Sequence, residues 1–330
     1  MQDEVARALN GERRALARVL SAIENGTFTL DDAGITSVIK TDKSTWNTMA
    51  ITGAPGVGKS VLVDALMTQW AKQGHQLALL AVDPSSPRTG GALLGDRVRM
   101  TSVDDPEIKD LVYVRSIATR AASGSVPLIV EDMASFLHAC GWNRVLIETV
   151  GSGQSELRCA AVADRIIVVE GPARGDGIQA EKAGLLELAD AVLVNKADLD
   201  GAQKHASELQ ESFNLGQREA PPVLLTSGLH GIGIDAASDL LLQLEASGRA
   251  TRARMRERLL ASHERRLVTH PSYNECLDLL TKVQAVSVVV HCAIHEPREK
   301  QFDKISTLFE PLFDSPILPV HFLIFNGHNF

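Results

Sequence analysis

The residues with the clearest chemical potential form a glycine-rich segment that fits the pattern G-x-x-x-x-G-K-[ST]. They are Gly53, Ala54, Pro55, Gly56, Val57, Gly58, Lys59 and Ser60. Glycines in such a loop let backbone N–H groups surround phosphate oxygens. We expect Lys59 to reach the β- and γ-phosphates and Ser60 to ligate Mg²⁺. The alternative is an ordinary glycine-rich turn, but an apolar stretch precedes the segment and an amphipathic one follows it, as a phosphate-binding loop requires.

A second motif, Asn-Lys-Ala-Asp, follows the apolar run AVLV at 191–194. A carboxylate at Asp198 can accept two hydrogen bonds from N1–H and N2–H₂ of guanine, and adenine does not offer that pair. Asn195 would fix the loop, and Lys196 would lie over the ring. We expect further nucleotide contacts from Val61, Ser227, Gly228 and Leu229. The motif therefore predicts a site for GTP or GDP, with a surface turn as the alternative.

Candidate metal ligands and candidate residues for a nucleotide-dependent switch lie at the ends of apolar runs. Asp83 and Glu148 each close such a run, and the carboxyl ends of parallel strands are where α/β proteins bind ligands. The segment Glu-Thr-Val-Gly ending at Gly151 resembles a D-x-x-G switch with Glu for Asp, so the Gly151 N–H could reach the γ-phosphate. The alternative for both carboxylates is capping of a turn. On spacing alone, Asp96 and Arg99 are solvated loop residues.

The elements that must position these residues alternate along the chain. Helical spacing extends over 3–24 and ends at Asn25-Gly26, and a helix over about 59–72 follows the glycine-rich loop. Short apolar runs predict strands at 48–52, 77–82, 111–115, 144–149, 165–170, 191–194 and 222–226. Apolar strands separated by helices predict an α/β fold whose mostly parallel sheet is covered on both faces.

Composition narrows the function classes. The 330 residues carry a net charge of −8, and aromatic residues make up 4% of them, which argues against non-specific nucleic-acid binding and base-stacking platforms. No run approaches the roughly 20 apolar residues that a membrane span needs. The four cysteines are scattered and form no C-x-x-C pair, so we expect reduced thiols in a cytoplasmic protein.

The sequence predicts three regions: a helical lead at 1–40, a nucleotide-binding domain at 41–248 and an extension at 249–330. The extension begins with a basic helical pattern at 249–266, and its tail has a strand–helix–strand pattern. His291, Cys292 and His295, together with Glu296, could ligate a metal ion, but no second ligand pair stands at a suitable spacing. We therefore interpret them as strand-end residues.

Several longer segments give the chain a family resemblance. They include GERRALARVLSAIE, ITGAPGVGKS, VDPSSPRTGGALLGDRVRM, YVRSIATRAASGS, LIETVGSGQSE, NKAD and SGLHGIG, between about residues 10 and 235. They resemble the methylmalonyl-CoA mutase-associated GTPases of the MeaB/ArgK group, which belong to the SIMIBI class of P-loop GTPases. The resemblance implies a homodimeric, Mg²⁺-dependent GTPase. Such a protein gates adenosylcobalamin loading and protects or reactivates an acyl-CoA mutase such as methylmalonyl-CoA mutase.

The resemblance also implies roles by position. Asp83, Asp96 and Glu148 become Mg²⁺ and water-positioning carboxylates, and Arg99 becomes a switch arginine, which replaces the solvated interpretation. The segment that would couple nucleotide state to the mutase contains Asp176, Gln179 and Lys182.

Two departures from the family pattern stand out. Around the coupling segment the chain has Glu170 where the family more often has an apolar residue, Ala173-Arg174-Gly175 in place of Gly-Ala-Gly, and Ala183 in place of a second lysine. The tail at 283–330 does not resemble the family's helical extension that helps dimerisation.

Two other functions compete with the mutase chaperone. A metal-insertion GTPase, of the type that serves urease or hydrogenase, shares the fold and the motif order but would need a Cys/His site near the switches. A kinase of amino-acid transport would need a phospho-acceptor and usually ATP, whereas the motif ending at Asp198 favours GTP.

Overall fold

The computed structural model describes residues 1–35, 46–84, 100–119, 126–149, 163–172, 185–215, 220–246 and 248, and single or paired residues between 251 and 273. The chain opens with two helices, α1 (Gln2–Leu9) and α2 (Arg13–Glu24). The sequence spacing over 3–24 had indicated continuous helix. The structure breaks it at Asn10-Gly11, because Gly11 has φ +90°, a left-handed conformation that glycine adopts without a steric penalty.

Seven strands form one sheet in which every pair of neighbours runs parallel. They are β1 (Thr48–Thr52), β2 (Leu77–Pro84), β3 (Val112–Thr119), β4 (Arg144–Thr149), β5 (Arg165–Glu170), β6 (Ala191–Val194) and β7 (Val223–Leu225). Their order is β3-β2-β4-β1-β5-β6-β7. The predicted α/β fold with a parallel sheet is confirmed, and the strand bounds differ from the prediction by a few residues at β2, β3 and β7.

In the described part of the chain, further helices follow β1, three of them between strands and the last one after β7. They are α3 (Lys59–Lys72), α4 (Val126–Ala139), α5 (Ala202–Asn214) and α6 (Ile234–Leu242). A short 3₁₀ turn, Lys109–Leu111, leads into β3. The α3 bounds coincide with the helix predicted after the glycine-rich loop.

The sheet separates two apolar layers because successive side chains of a strand point to opposite faces. In β5, Ile166 and Val168 lie in the layer that contains α1, α2 and α4, whereas Ile167 and Val169 lie in the layer that contains α3 and α6. All six residues of β5 are buried. Burial on both faces explains why the strands are continuous apolar runs in the sequence.

The two ends of α6 are fixed at opposite edges of the sheet. At its start, a Cβ on Gly233 would lie 2.2 Å from the Leu225 carbonyl oxygen at the end of β7. At its finish, the Trp46 indole donates to the Leu241 carbonyl (2.7 Å), and the Arg165 Nε donates to the Leu244 carbonyl (2.7 Å). Since Trp46 precedes β1 and Arg165 begins β5, the chain beyond α6 starts at the amino edge of the sheet.

The backbone forms two compact units, Met1–Arg266 and Leu267–Phe330. All helices and strands given above belong to the first unit. The three predicted regions stay a prediction. Within the described part of the chain, no helix is both long and apolar enough to cross a membrane.

Arg115 of β3 anchors the helical lead to the sheet. Its guanidinium donates to the Glu24 carboxylate (2.5 Å), the Ser21 hydroxyl (3.1 Å) and the Ala17 carbonyl (3.3 Å), which all belong to α2. Arg115 and Glu24 are both largely buried, so this ion pair is shielded from water. The lead is therefore an integral part of the first unit.

We expect the Arg115→Ala variant to lose about 2–3 kcal/mol of unfolding free energy, because the substitution removes a largely buried cation together with its bonds to α2. Urea unfolding followed by tryptophan fluorescence measures the loss. Arg7→Ala is the matched control, since Arg7 makes its ion pairs with Asp3, Glu4 and Glu12 at an exposed position. An equal loss in both variants would contradict the anchoring role of Arg115.

Candidate functional site

The predicted nucleotide residues converge on the carboxyl edge of the sheet. The glycine-rich loop follows β1, Glu148 lies near the end of β4, the Asn195 motif follows β6, and Ser227 comes two residues after β7. Parallel strands bring these loops to one edge although Gly53 and Ser227 are 174 residues apart in the chain. This edge is where open α/β sheets bind ligands.

Two glycines of the phosphate loop allow backbone approaches that any side chain would block. Gly53 has φ +144°, and a Cβ there would lie 2.1 Å from the Val169 carbonyl oxygen of β5. Gly58 has φ +91°, and a Cβ there would lie 2.6 Å from the Asn195 amide nitrogen. Gly58 is also the residue from which α3 begins, so the positive end of the helix opens at the loop.

Lys59 places its ammonium inside the loop. The Nζ atom donates to the carbonyl oxygens of Gly53 (2.7 Å) and Ala54 (3.1 Å), and the residue is buried. The charge is therefore held beside the backbone amides that would bind phosphate. A fixed cation at this position suits the negative charge of a nucleotide's β- and γ-phosphates.

Ser60 and Glu148 bring two oxygen donors together. The Ser60 hydroxyl donates to Glu148 Oε1 at 2.7 Å, and Glu148 is buried between β1 and β2 in the sheet. Mg²⁺ prefers hydroxyl, carboxylate and phosphate oxygens, and it commonly takes one or two of its ligands from the protein. The donor set therefore fits a Mg²⁺ ion that also binds phosphate.

The Asn195 carboxamide joins three loops. Its Nδ2 donates to the Val57 carbonyl of the phosphate loop (2.9 Å), and its Oδ1 accepts from the Gly228 N–H of the loop after β7 (3.1 Å). The side chain is buried, with 3% of the residue exposed. The predicted role of Asn195 in fixing the base loop thus has a geometric basis in bonds to two other segments.

Asp198 presents a carboxylate held by the neighbouring loop. The Ser227 hydroxyl donates to Asp198 Oδ1 at 2.5 Å, and this bond is the largest cause of a lowered pKa of the carboxyl group. The group is therefore ionised at neutral pH and can accept hydrogen bonds from a base. Lys196 has φ +63°, and its Nζ donates to the Gly56 carbonyl (2.8 Å), so its side chain extends toward the phosphate loop.

Gly228 packs directly on the backbone of α3. A Cβ at this position would lie 2.7 Å from Leu62 Cα and 3.1 Å from the Val61 carbonyl carbon. Val61 and Leu229 therefore lie close to this contact, and both are exposed apolar residues. Their exposure is compatible with the predicted contacts to a nucleotide.

Other predicted residues are described in part or not at all. Asp83 lies in β2, where it pairs with Ala118 of β3, and its side chain lies outside the described structure. The remaining predicted residues lie outside the described residues and keep their sequence-based roles as predictions. They are Asp96, Arg99, Gly151, Asp176, Gln179, Lys182, His291, Cys292 and His295.

Sequence reasoning missed Asp64, a buried acid on α3 one turn after Ser60. Its carboxylate accepts bonds from the Thr101 N–H (2.9 Å), the Thr101 hydroxyl (2.8 Å) and the Ser102 N–H (3.1 Å). Asp64 thus ties residues 101–102 to the helix that begins at Lys59. A sequence signal was available, since Asp64 interrupts an otherwise apolar face formed by Leu62, Val63, Leu66 and Met67.

Taken together, the parallel sheet, the phosphate loop at the start of α3 and the Asn-Lys-x-Asp loop after β6 define a P-loop nucleotide-binding protein of the guanine-specific type. The family model described as methylmalonyl-CoA mutase-associated GTPase MeaB matches residues 16–276. The chain belongs to this family of GTPases. The resemblance predicted from the sequence motifs is confirmed.

Individual relatives agree with this assignment. A Pyrococcus horikoshii protein named as a GTPase is 36% identical over 264 residues, which cover 76% of this chain and 80% of the relative. The mouse methylmalonic aciduria type A homolog, a mitochondrial protein, is 32% identical over 257 residues, or 71% of this chain and 60% of the relative. The crystal structure of a LAO/AO transport system kinase superposes with a TM-score of 0.61 at 24% identity, covering 93% of this chain and 97% of that one, and thus shares the fold.

The packing of Gly228 gives a test of the base loop. We expect Gly228→Ala to weaken GDP binding by about tenfold or more, because the added methyl group would push the loop off α3 and move Ser227 away from Asp198. Isothermal titration calorimetry measures the affinity. Gly171→Ala is the matched control, since its Cβ would make ordinary contact with Val57 Cγ1 at 3.7 Å. Unchanged affinity in Gly228→Ala would contradict the packing argument.

Proposed function

We propose that this chain binds and hydrolyses Mg·GTP at the carboxyl edge of its sheet, and that it acts as a GTP-dependent chaperone of an adenosylcobalamin-dependent acyl-CoA mutase such as methylmalonyl-CoA mutase. The observation that carries the nucleotide part is the junction at Asn195, which joins the phosphate loop to the base loops. Family membership supports the mutase part, since the family is described as mutase-associated. We place this activity in the cytoplasm.

At the phosphate end of the site, the protein would stabilise the negative charge of the nucleotide phosphates. Lys59 would bind the β- and γ-phosphates together with the backbone amides of residues 53–58, and it would offset charge on the transferring group. Ser60 and Glu148 would hold Mg²⁺, with Asp83 and Asp96 as further metal or water-positioning carboxylates. Bound there, the ion would neutralise part of the negative charge of the nucleotide phosphates. Val61, Gly151 and Arg99 would complete the surroundings of the nucleotide and the switches.

The base end would supply nucleotide specificity. Asp198 would accept hydrogen bonds from guanine N1–H and N2–H₂, and the lowered pKa of its carboxyl group keeps it in the accepting form. Lys196 would cover one face of the ring, while Gly228 and Leu229 would border the base. An acceptor that is shielded from water disfavours a base that lacks the matching donors. Such a base would displace water from the acceptor without replacing its hydrogen bonds.

Base specificity can be reversed at Asp198. In the Asp198→Asn variant the carboxamide offers one donor and one acceptor, which matches xanthine better than guanine. We expect GDP affinity to fall on the order of a hundredfold and xanthosine diphosphate affinity to rise, since two charge-assisted bonds to guanine are replaced. Competition binding against a fluorescent nucleotide measures both affinities.

Unchanged preference for GDP in Asp198→Asn would contradict the assignment of Asp198 as the base reader. Asp235→Asn is a suitable control, since Asp235 is an aspartate of α6 whose side chain pairs with Gln69, outside the base loop. That variant should bind GDP and xanthosine diphosphate as the unsubstituted chain does.

The mutase part of the proposal predicts a response of GTP turnover to the partner. We expect the purified chain to co-elute with methylmalonyl-CoA mutase and to hydrolyse GTP on the order of tenfold faster in its presence, because a partner can complete the charge stabilisation of the switches. A steady-state phosphate-release assay and size-exclusion chromatography measure the two effects. The same chromatography also measures whether the chain alone is a homodimer, as we propose.

The coupling segment supplies a variant for this experiment. Gln179→Ala should bind GDP normally and should respond less to the mutase, since we propose that Asp176, Gln179 and Lys182 transmit nucleotide state. Absence of both co-elution and stimulation with the unsubstituted chain would contradict the mutase role and leave the GTPase assignment standing.

A further inference from the structure

Asp64 places a carboxylate on the buried face of α3. The residue is 8% exposed, and Val63, Leu66 and Met67 beside it on the helix are fully shielded from solvent. A carboxylate in such surroundings is costly unless hydrogen bonds replace the water that it has lost. The bonds that it makes therefore indicate what the residue does.

Within the described residues, every hydrogen bond of the Asp64 carboxylate goes to Thr101 or Ser102. Oδ2 accepts from the Thr101 N–H (2.9 Å) and from the Thr101 hydroxyl (2.8 Å), and Oδ1 accepts from the Ser102 N–H (3.1 Å). Both oxygens are thus used, and two of the three donors are backbone groups. The carboxylate therefore fixes the main chain at 101–102 as well as one side chain.

Apolar packing holds the same segment on α3. Met100 and Ile108 are each 2% exposed and lie in the apolar layer that contains α3, and Ser102 is 1% exposed. The hydrogen bonds of Asp64 thus lie beside a packed contact that excludes water, where such bonds are stronger than at the surface. Residues 100–102 are therefore held at a defined place relative to α3.

Helix geometry connects this anchor to the proposed phosphate site. Asp64 follows Ser60 by four residues, which is about 6 Å along the axis of α3. Ser60 donates to Glu148, and Lys59 donates to carbonyl groups of the phosphate loop. One turn of helix therefore relates the main chain at Thr101 to the groups that we propose hold Mg²⁺ and phosphate.

Covalent geometry limits how far the residues before the anchor can lie from it. Consecutive Cα atoms are about 3.8 Å apart, so the Arg99 Cα can lie at most about 7.6 Å from the Thr101 Cα. Arg99 is the residue to which the family resemblance gives the role of a switch arginine, and Asp96 stands three residues before it. A fixed Thr101 thus restricts the region that these two side chains can reach.

We propose that Asp64 is a positioning residue for GTP hydrolysis. It holds residues 101–102 at a fixed distance from Ser60. The predicted switch residues Asp96 and Arg99 would thereby act on the γ-phosphate from a fixed attachment point. The inference rests on the proposed GTPase function and deepens it. Because the anchor's hydrogen bonds involve neither the phosphate loop nor the base loops, its loss should slow turnover and leave GDP binding intact.

The test compares turnover and nucleotide affinity in the Asp64→Asn variant. The carboxamide has nearly the same volume, but whichever way it is turned, its N–H₂ group faces one of the two backbone N–H donors and loses that bond. We expect kcat for GTP to fall on the order of tenfold, because small displacements of reacting groups slow a reaction strongly. The KM for GTP and the Kd for GDP should change by less than about threefold.

Phosphate release at saturating GTP measures kcat, and calorimetry measures the Kd for GDP. Each rate is divided by the concentration of GDP-binding sites found in the calorimeter, so that a loss of folded protein does not count as a loss of turnover. A purely structural role of Asp64 would lower the yield or the stability of the variant and leave this normalised rate unchanged.

Thr101 supplies milder variants of the same anchor. Thr101→Val removes the hydroxyl bond to Asp64 and keeps both N–H bonds, so we expect kcat to fall by about threefold. Thr101→Ser restores a hydroxyl and should recover most of that loss. In the double variant Asp64→Asn/Thr101→Val, the fall should be smaller than the product of the two single effects, because both substitutions act on one anchor.

Asp105→Asn is the matched control. Asp105 belongs to the same segment, but its carboxylate accepts from the Glu107 N–H (3.0 Å) at an exposed position within its own turn. This variant should keep both kcat and GDP affinity.

An unchanged normalised kcat in Asp64→Asn, or a loss of GDP affinity as large as the loss of kcat, overturns the positioning role while the GTPase assignment stands. If Asp64→Asn yields no GDP-binding protein, an unchanged kcat in Thr101→Val overturns it instead. If the unsubstituted chain does not hydrolyse GTP, the inference and the proposed function fail together.

Discussion

The candidate site depends on one buried carboxamide. Asn195 uses its donor on the phosphate loop and its acceptor on the loop after β7, so neither segment can move without breaking a shielded hydrogen bond. A buried amide that loses a partner leaves a polar group without water to replace it, which costs about 1–3 kcal/mol. One side chain therefore holds together the loops that we propose bind the phosphate and the base, although these loops are far apart in the chain.

The backbone contacts around this carboxamide explain why glycine recurs at the edge of the sheet. Gly58 lies against the Asn195 amide, Gly53 against the Val169 carbonyl and Gly228 against the α3 backbone, each closer than a Cβ would permit. The parallel strands bring the loops to one edge of the sheet. Because these three glycines have no side chain, the loops can come into contact there. The architecture thus supplies proximity, while the glycines and Asn195 supply the fixed geometry that the proposed chemistry requires.

Local patterns in the sequence were sufficient to predict the parallel sheet, helix α3 and the family. Burial on both faces produces the apolar runs of the strands, and the phosphate loop marks the start of α3 at Lys59. The break at Gly11 was missed because apolar spacing continues across it. Asp64 was missed as a site residue because its role depends on a partner, Thr101, that only the folded chain brings near.

The attachment of α6 at both ends has a mechanical consequence. Its nine residues span about 13 Å, and it starts against the end of β7 beside the base loop and finishes on bonds from Trp46 and Arg165. A load on the chain just after Leu244 would therefore enter the sheet through Arg165 and Trp46 and would also press along α6 toward the end of β7. Helix α6 thus links the amino edge of the sheet, where the chain leaves the helix, to the loop that holds Ser227 at the carboxyl edge.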